Sequence, residues 1–412
     1  MLPLLFGLKP KEKKKKLMKI ESYLAKDEAF LSTTKPHNLP IYPTSSFKFE
    51  SVDQGIELFS GKEKGHVYGR YGNPTMESVA RKIMRLEMFR EEAEGFGIMV
   101  SSGMAAISTL AFAELQAGDK LITQNDLYGG TTMFFNSLLN KLGVKVIKTD
   151  FGNLEKLEKL LKADSKIKML YCETPANPTM KCIDLSEIAK LCGNYKVKTA
   201  VDSTFCTPYI QQPLKLGFDY VVHSTTKFIN GHGNAITGVI IGKNESDYGK
   251  VWDAMKLLGT NCNPFDAWLV NNGMKTLALR MDRHSSNAFE LAQRLEKLEE
   301  IEFVNYPFLS SNSTSHIARK QMKYGGGMLS FGIKGGIEAG MKFMNAIKIS
   351  ALAPTLGNID SLIVHPASMS HRGVDKEVRE ANGITDGLIR MSVGIEDVED
   401  LYNDLKQALE KV

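Results

Sequence analysis

Between about residues 78 and 241 the chain alternates two hydrophobic periods, and this restricts its fold more than any other feature. Ser78–Met88 sets apolar residues at helical spacing, and Gly97–Val100 is an apolar run of strand length. Ser102–Leu115 is helical again. The beat continues through Lys120–Thr123 (strand), 130–142 (helix), Val144–Lys148 (strand), 153–162 (helix), Lys168–Cys172 (strand), 185–192 (helix) and Thr199–Asp202 (strand). Further strands are expected at Tyr220–His223 and Thr237–Ile241. Short apolar strands alternating with helices predict an α/β fold, with a mostly parallel sheet covered on both faces. In such sheets ligands bind beyond the carboxyl ends of the strands.

The flanks read differently. Residues 18–74 form an expected arm, rich in turns such as Lys35-Pro36-His37-Asn38 and poor in periodic segments. Asp266–Leu298 reads as one or two long helices. A mixed region follows, with Gly325-Gly326-Gly327 before the strand-like Met328–Ile333, and Val398–Leu409 closes the chain as a helix. At roughly 150 residues per domain the length allows two or three domains. The expected division is a large domain over 75–264 and a smaller α+β domain over 265–412, with the boundary near 262–270.

Charge and composition exclude several classes of function. The net charge is +5, and the six lysines and one glutamate of residues 1–17 account for all of it. A neutral body lacks the basic face that nucleic-acid binding needs. Residues 1–8 are apolar and precede the lysines, which reverses the order of a signal peptide. Residues 1–17 are therefore read as a disordered or non-native leader, with Met18 as a plausible start. No apolar run approaches the roughly 18 residues of a membrane span. Five cysteines, an odd number without a CxxC pair, suggest reduced thiols in a cytoplasmic protein. No HExxH occurs, so metal hydrolysis has no support and no metal site is expected.

Three segments carry the chemistry. Ser101-Ser102-Gly103-Met104 follows a strand and opens a helix, whose unpaired first amides attract a phosphate. Read alone, Ser102 is a capping serine before a helix. Asp202 ends an apolar strand, either as a helix cap or as a carboxylate held for a cationic ring nitrogen. Lys227 follows Ser224-Thr225-Thr226 and precedes Gly231-His232-Gly233. It is either a surface lysine or an amine that forms a Schiff base, which requires its pKa to fall from about 10.4. A phosphate cradle, an acid for a pyridinium nitrogen and a Schiff-base lysine together suit pyridoxal 5′-phosphate.

The order of these blocks resembles the trans-sulfuration enzymes of cysteine and methionine metabolism: cystathionine γ-synthase, cystathionine γ-lyase, methionine γ-lyase and their sulfhydrylase relatives. The resemblance spans about residues 28–412. It implies the fold-type I architecture of pyridoxal-phosphate enzymes. It also implies that Lys227 bonds the cofactor, that Asp202 pairs with its ring nitrogen, and that Ser102, Gly103, Met104, Ser224 and Thr226 cradle its phosphate. Tyr68 and Arg70, in Tyr68-Gly69-Arg70-Tyr71-Gly72-Asn73-Pro74-Thr75, would reach the cofactor phosphate of a neighbouring subunit. Tyr128 would stack on the ring and move protons. Asn177, in Glu173-Thr174-Pro175-Ala176-Asn177-Pro178, would contact substrate and cofactor. Arg390 would clamp the substrate carboxylate by paired hydrogen bonds, with Thr355 assisting.

What the family implies is a homotetramer, a dimer of dimers with shared active sites, acting on a small sulfur amino acid. The expected reaction is γ-elimination of the cystathionine γ-lyase type, giving 2-oxobutanoate, ammonia and a thiol. Its alternatives are γ-replacement, as in a cystathionine γ-synthase or O-acylhomoserine sulfhydrylase, and methionine γ-lyase. The chain departs from its relatives at four places. His365-Pro366-Ala367-Ser368 is similar to methionine γ-lyases, but Gly130 stands where many of them have cysteine. Met255-Lys256 replaces a lysine–aspartate pair. Pro354 stands where cystathionine γ-lyases often have glutamate. Asn271-Asn272-Gly273 replaces a more usual Leu-Arg-Gly.

Overall fold

A computed structural model describes residues 18–27, 36–91, 95–369, 372–373 and 375–412. The expected leader, 1–17, lies outside the described residues. Among those residues seven strands form one sheet: β1 (Phe96–Val100), β2 (Lys120–Thr123), β3 (Lys145–Lys148), β4 (Ile167–Glu173), β5 (Lys198–Asp202), β6 (Tyr220–His223) and β7 (Gly238–Gly242). Their order is β1-β7-β6-β5-β4-β2-β3. β7 pairs antiparallel with both β1 and β6, and the other pairs are parallel. The carboxyl ends of β1, β2, β4, β5 and β6 therefore meet along one edge.

Burial explains why the inner strands are largely apolar. Leu170, Cys172, Val201 and Val221 pack into one core, while Met169, Tyr171, Ala200 and Val222 face a second core on the other side. Successive strand residues point to opposite faces, so a sheet covered on both sides needs apolar residues at every position. The helices Pro74–Glu87 and Gly103–Glu114 supply apolar side chains to the first and second core respectively.

The second sheet has the order β10-β11-β12-β9-β8 among the described residues. It comprises β8 (Ile301–Asn305), β9 (Met328–Ile333), β10 (Ala351–Leu352), β11 (Leu362–Val364) and β12 (Leu388–Ser392). Only β10 and β11 pair in parallel. Its core joins Leu329, Phe331, Ile389 and Met391 to Leu401 and Leu405 of the closing helix Val398–Leu409. The long periodic stretch divides into two helices, Pro264–Met274 and Leu277–Leu295.

Two segments differ from the sequence expectation. The helix expected at 130–142 begins as α-helix over Gly129–Met133 and widens into a π-helical turn over Phe134–Leu139. The arm contains a helix, Val52–Ser60, capped by Ser51, whose side chain accepts from Gln54 N. Its apolar residues Val52, Ile56 and Phe59 recur at helical spacing, yet all three are exposed. Among the described residues no helix is long and apolar enough to cross a membrane, and no acidic, histidine and cysteine cluster suits a metal. All five cysteines are free and buried.

Candidate active site

The shared edge of the large sheet assembles most of the expected residues. Asp202 ends β5, and Glu173 ends β4 directly beside it in register. The Asp202 carboxylate accepts from Thr204 N at 2.9 Å. Glu173 accepts the Tyr128 N–H at 2.7 Å, which fixes the backbone of the loop after β2. Gln124 grips the Glu173 backbone from both sides, accepting from its N–H at 2.9 Å and donating to its carbonyl at 3.0 Å. Burial pushes the Asp202 carboxyl up, against the opposing pull of the Thr204 hydrogen bonds. Glu173 is pushed well up by burial and then by the neighbouring Asp202 charge. Two carboxyls side by side in a dry site disfavour double ionisation.

Lys227 lies in the turn that follows β6. Its Nζ is 2.8 Å from Thr355 Oγ1. Burial, then the charge of Arg390, lowers the Lys227 pKa to about 8. Arg390 comes from the other sheet, on β12. Its Nη2 donates to Thr355 O at 3.2 Å and its Nη1 reaches Asn177 Oδ1 at 3.5 Å. Its buried Nε has no partner among the described residues. Burial draws the guanidinium down to about 10, and the nearby Tyr128 hydroxyl opposes that. Thr355 thus touches the amine with its side chain and the guanidinium with its backbone.

Ser102 caps the Gly103–Glu114 helix, and its hydroxyl accepts from Ala105 N at 3.0 Å. The first-turn amides of Gly103 and Met104 precede any intrahelical partner. No acidic residue occupies that first turn. A Cβ on Gly103 would stand 2.7 Å from the Ser224 Cβ, so only glycine lets the helix start close against the lysine turn. The Thr226 hydroxyl is already engaged, donating to Thr237 O at 3.1 Å and accepting from Thr237 N at 3.0 Å. It therefore has to exchange an acceptor to serve a phosphate.

Tyr68 and Arg70 stand apart. Arg70 donates from Nη1 to Lys256 O, and its guanidinium lies 5.0 Å from the Tyr71 ring and 5.5 Å from the Tyr68 ring. Among the described residues no hydrogen bond joins either of them to the cradle of their own chain.

The residues present fit pyridoxal 5′-phosphate. Among the described residues neither Glu173 nor Asp202 has a lysine or arginine partner, so this anionic pocket suits a protonated ring nitrogen. The helix start suits the phosphate, and the depressed Lys227 amine suits the aldehyde. Glu173 and Gln124 are contributors that the sequence reading did not single out. Their signal lies in strand register, which brings Glu173 beside Asp202.

The departures also acquire a physical setting. A Cβ at Gly130 would stand 2.6 Å from the Tyr128 ring and 3.1 Å from Met104 Sδ, so a cysteine there requires the ring to move. Met255 is core, while the Lys256 amine lies 4.0 Å from the centre of the Trp252 ring. Asn271 donates to Asp27 at 2.7 Å, and Asp27 also holds Lys275 Nζ at 3.0 Å and Leu39 N at 3.1 Å. Asn271 therefore helps to fasten the arm.

Comparison with known proteins follows the same lines. The model of a family described as Cys/Met metabolism PLP-dependent enzyme matches residues 22–410. An L-methionine gamma-lyase of Fusobacterium nucleatum subsp. nucleatum is 44% identical over 376 residues, 91% of this chain and 93% of the relative. A cystathionine beta-lyase of Lactococcus lactis subsp. cremoris is 40% identical over 92% of this chain and 95% of the relative. The crystal structure of cystathionine gamma-lyase from Lactobacillus plantarum, complexed with L-serine, superposes with a TM-score of 0.88 at 34% identity. It covers 96% of this chain and 99% of that one.

Proposed function

Since the chain belongs to the Cys/Met metabolism PLP-dependent enzyme family, we propose that it is a carbon–sulfur γ-lyase acting on L-methionine and related thioether amino acids. The cofactor is pyridoxal 5′-phosphate, as the family requires. The reaction consumes water and L-methionine and yields 2-oxobutanoate, ammonia and methanethiol.

The observation that carries this reading is the Lys227–Thr355–Arg390 contact. It places a base with a pKa near 8 beside a guanidinium shaped for a carboxylate. When bound, pyridoxal phosphate supplies an electron sink that makes the protons on Cα and then Cβ removable. Arg390 binds the substrate carboxylate with two parallel hydrogen bonds and so fixes Cα. Lys227, part of its amine population neutral near pH 8, takes the Cα proton at Nζ. Asp202 presents its carboxylate to the ring nitrogen and Glu173 holds the Tyr128 loop. Tyr128 then gives its hydroxyl proton to the departing sulfur.

The substrate choice rests on two supports. The relatives named methionine gamma-lyase are 40–45% identical to this chain. Pro354 offers no carboxylate to the second ammonium that cystathionine carries. Gly130 favours a second reading, because it matches synthases and cystathionine lyases at that place. Cystathionine cleavage and γ-replacement are the reactions to compare.

Assembly belongs to the same proposal. Residues 18–74 act as an arm, 75–264 as the large domain and 265–412 as the C-terminal domain. Tyr68 and Arg70 serve the cradle of a neighbouring copy in a homotetramer.

Product identification tests the function. The loaded enzyme is given L-methionine, L-cystathionine, or O-acylhomoserine with cysteine. Release of 2-oxobutanoate and methanethiol from L-methionine alone is expected. Inertness towards both thioethers, with cystathionine formed from the acylhomoserine, overturns the lyase reading in favour of a synthase.

A further inference from the structure

Three buried polar side chains of the Leu277–Leu295 helix, none used by the chemistry above, bond the backbone of other elements. Arg280, His284 and Asn287 are 4%, 0% and 2% exposed. Their spacing of four and three puts them on one face. Arg280 donates from Nη1 to Phe228 O at 2.7 Å and from Nη2 to Ile229 O at 3.2 Å and Gly273 O at 2.8 Å. Its Nε donates to Thr276 Oγ1 at 3.1 Å. Phe228 and Ile229 directly follow Lys227. They end a helical turn in which Gly231 N bonds Lys227 O at 2.8 Å. Carbonyls at such an end have no partner within the turn. The guanidinium supplies one, so closely that a side chain at Gly231 would overlap it.

The other end of the same face holds the other sheet. His284 Nδ1 donates to Val393 O at 2.7 Å, and Asn287 Nδ2 donates to Gly394 O at 3.1 Å and Glu396 O at 2.9 Å. Val393 and Gly394 directly follow β12, the strand that carries Arg390. The His284 ring also meets the Phe228 ring edge-on at 5.2 Å between centroids. One rigid helix is thus bonded to the backbone beside both Lys227 and Arg390, which lie on different sheets.

We propose that this helix face sets the spacing between the Lys227 amine and the Arg390 guanidinium, with Arg280, His284 and Asn287 as positioning residues. The inference rests on the roles proposed above for Lys227 and Arg390. Both side chains are long, so their reacting atoms meet a bound amino acid only when the two backbones keep one distance. A misplacement of about 1 Å at such a site costs about 10²-fold in rate.

The test uses full-length holoenzyme carrying Arg280→Lys or Asn287→Ala. Each is read by thermal unfolding, by pH titration of the visible cofactor band, and by kcat and KM for L-methionine separately. Arg280→Lys is expected to move the band's midpoint and lower kcat about 10- to 100-fold, with KM changed less. Asn287→Ala is expected to keep the band and raise KM about tenfold, because it loosens only the Arg390 side. If both variants unfold earlier yet keep the wild-type midpoint, kcat and KM, the helix is merely structural and the proposal is overturned. Should Arg280→Lys fail to fold, Thr276→Val removes one contact of the same guanidinium. A shifted midpoint there supports the proposal, and an unchanged midpoint with unchanged kcat overturns it. A wild-type enzyme without a titrating band contradicts the cofactor assignment instead, which is a separate failure.

Discussion

The Lys227 turn and the Tyr68–Arg70 loop are both assigned to one cofactor, yet they differ in how far a single chain completes them. Around Lys227 the partners are internal: Thr355 at its amine, Arg280 on the carbonyls that follow it, and Ser224 against the helix start at Gly103. Around Arg70 the partner is a backbone carbonyl of Lys256, and Tyr68 stays 40% exposed. The lesson concerns where the chemistry resides. In the proposed site the proton-handling end is completed within one chain, whereas Tyr68 and Arg70 are left for the phosphate of a neighbouring copy.

The largest expected effect falls on the internal half. Lys227→Ala removes the amine and should lower turnover by about 10²- to 10⁴-fold or more, checked by 2-oxobutanoate release. A normally active variant breaks the comparison outright. Next comes Arg390→Met, which deletes a charge-assisted pair worth about 1.5–3 kcal/mol. It should raise KM for L-methionine by about 10- to 100-fold, with a smaller change in cofactor retention. Arg70→Ala sharpens the contrast from the other side. It should weaken pyridoxal-phosphate binding about tenfold in a spectroscopic titration, since a phosphate loses one charged partner. Unchanged cofactor affinity would return Arg70 to a role within its own chain.

A pH dependence separates the halves without mutation. The Lys227 amine is held down to about 8 by burial and Arg390, so its neutral fraction rises with pH up to that value. Uptake of pyridoxal phosphate by cofactor-free enzyme should therefore quicken about tenfold per pH unit below 8 and level off above it. Stopped-flow absorbance reads this directly, and a midpoint near 10.4, the free-lysine value, would deny the buried amine. The smallest effect on catalysis is expected from Asn271→Leu. It removes one of three partners of the Asp27 carboxylate that fastens the arm, at a stability cost of about 1–3 kcal/mol in thermal or denaturant unfolding, with kcat nearly unchanged.

Much of this fold was legible in the sequence for a simple reason. Strands buried on both faces are largely apolar runs, so Lys120–Thr123, Tyr220–His223 and Met328–Ile333 keep their expected limits in the structure. Direction is not written in such runs, which is why the reversal of β7 needed its pairing partners. The Val52–Ser60 helix escaped because it is a short run inside a turn-rich arm, although Val52, Ile56 and Phe59 recur at helical spacing and Ser51 followed three residues later by Gln54 is a capping signal. The widened turn at Phe134–Leu139 escaped because the pattern of apolar residues does not distinguish it from an α-helix. In the site, Lys227 and Asp202 stood out through the residues beside them in sequence. Glu173, Gln124 and Arg280 did not, because each acts through a neighbour that only strand register or helix packing brings close.

Everything proposed for the site turns on Lys227 as the amine that bonds pyridoxal phosphate. Borohydride reduction of the loaded wild-type enzyme, followed by proteolysis and mass mapping, tests it most directly. The reduced cofactor's mass is expected on the peptide containing Lys227 and on no other. Label on a different lysine, or on none, would contradict it.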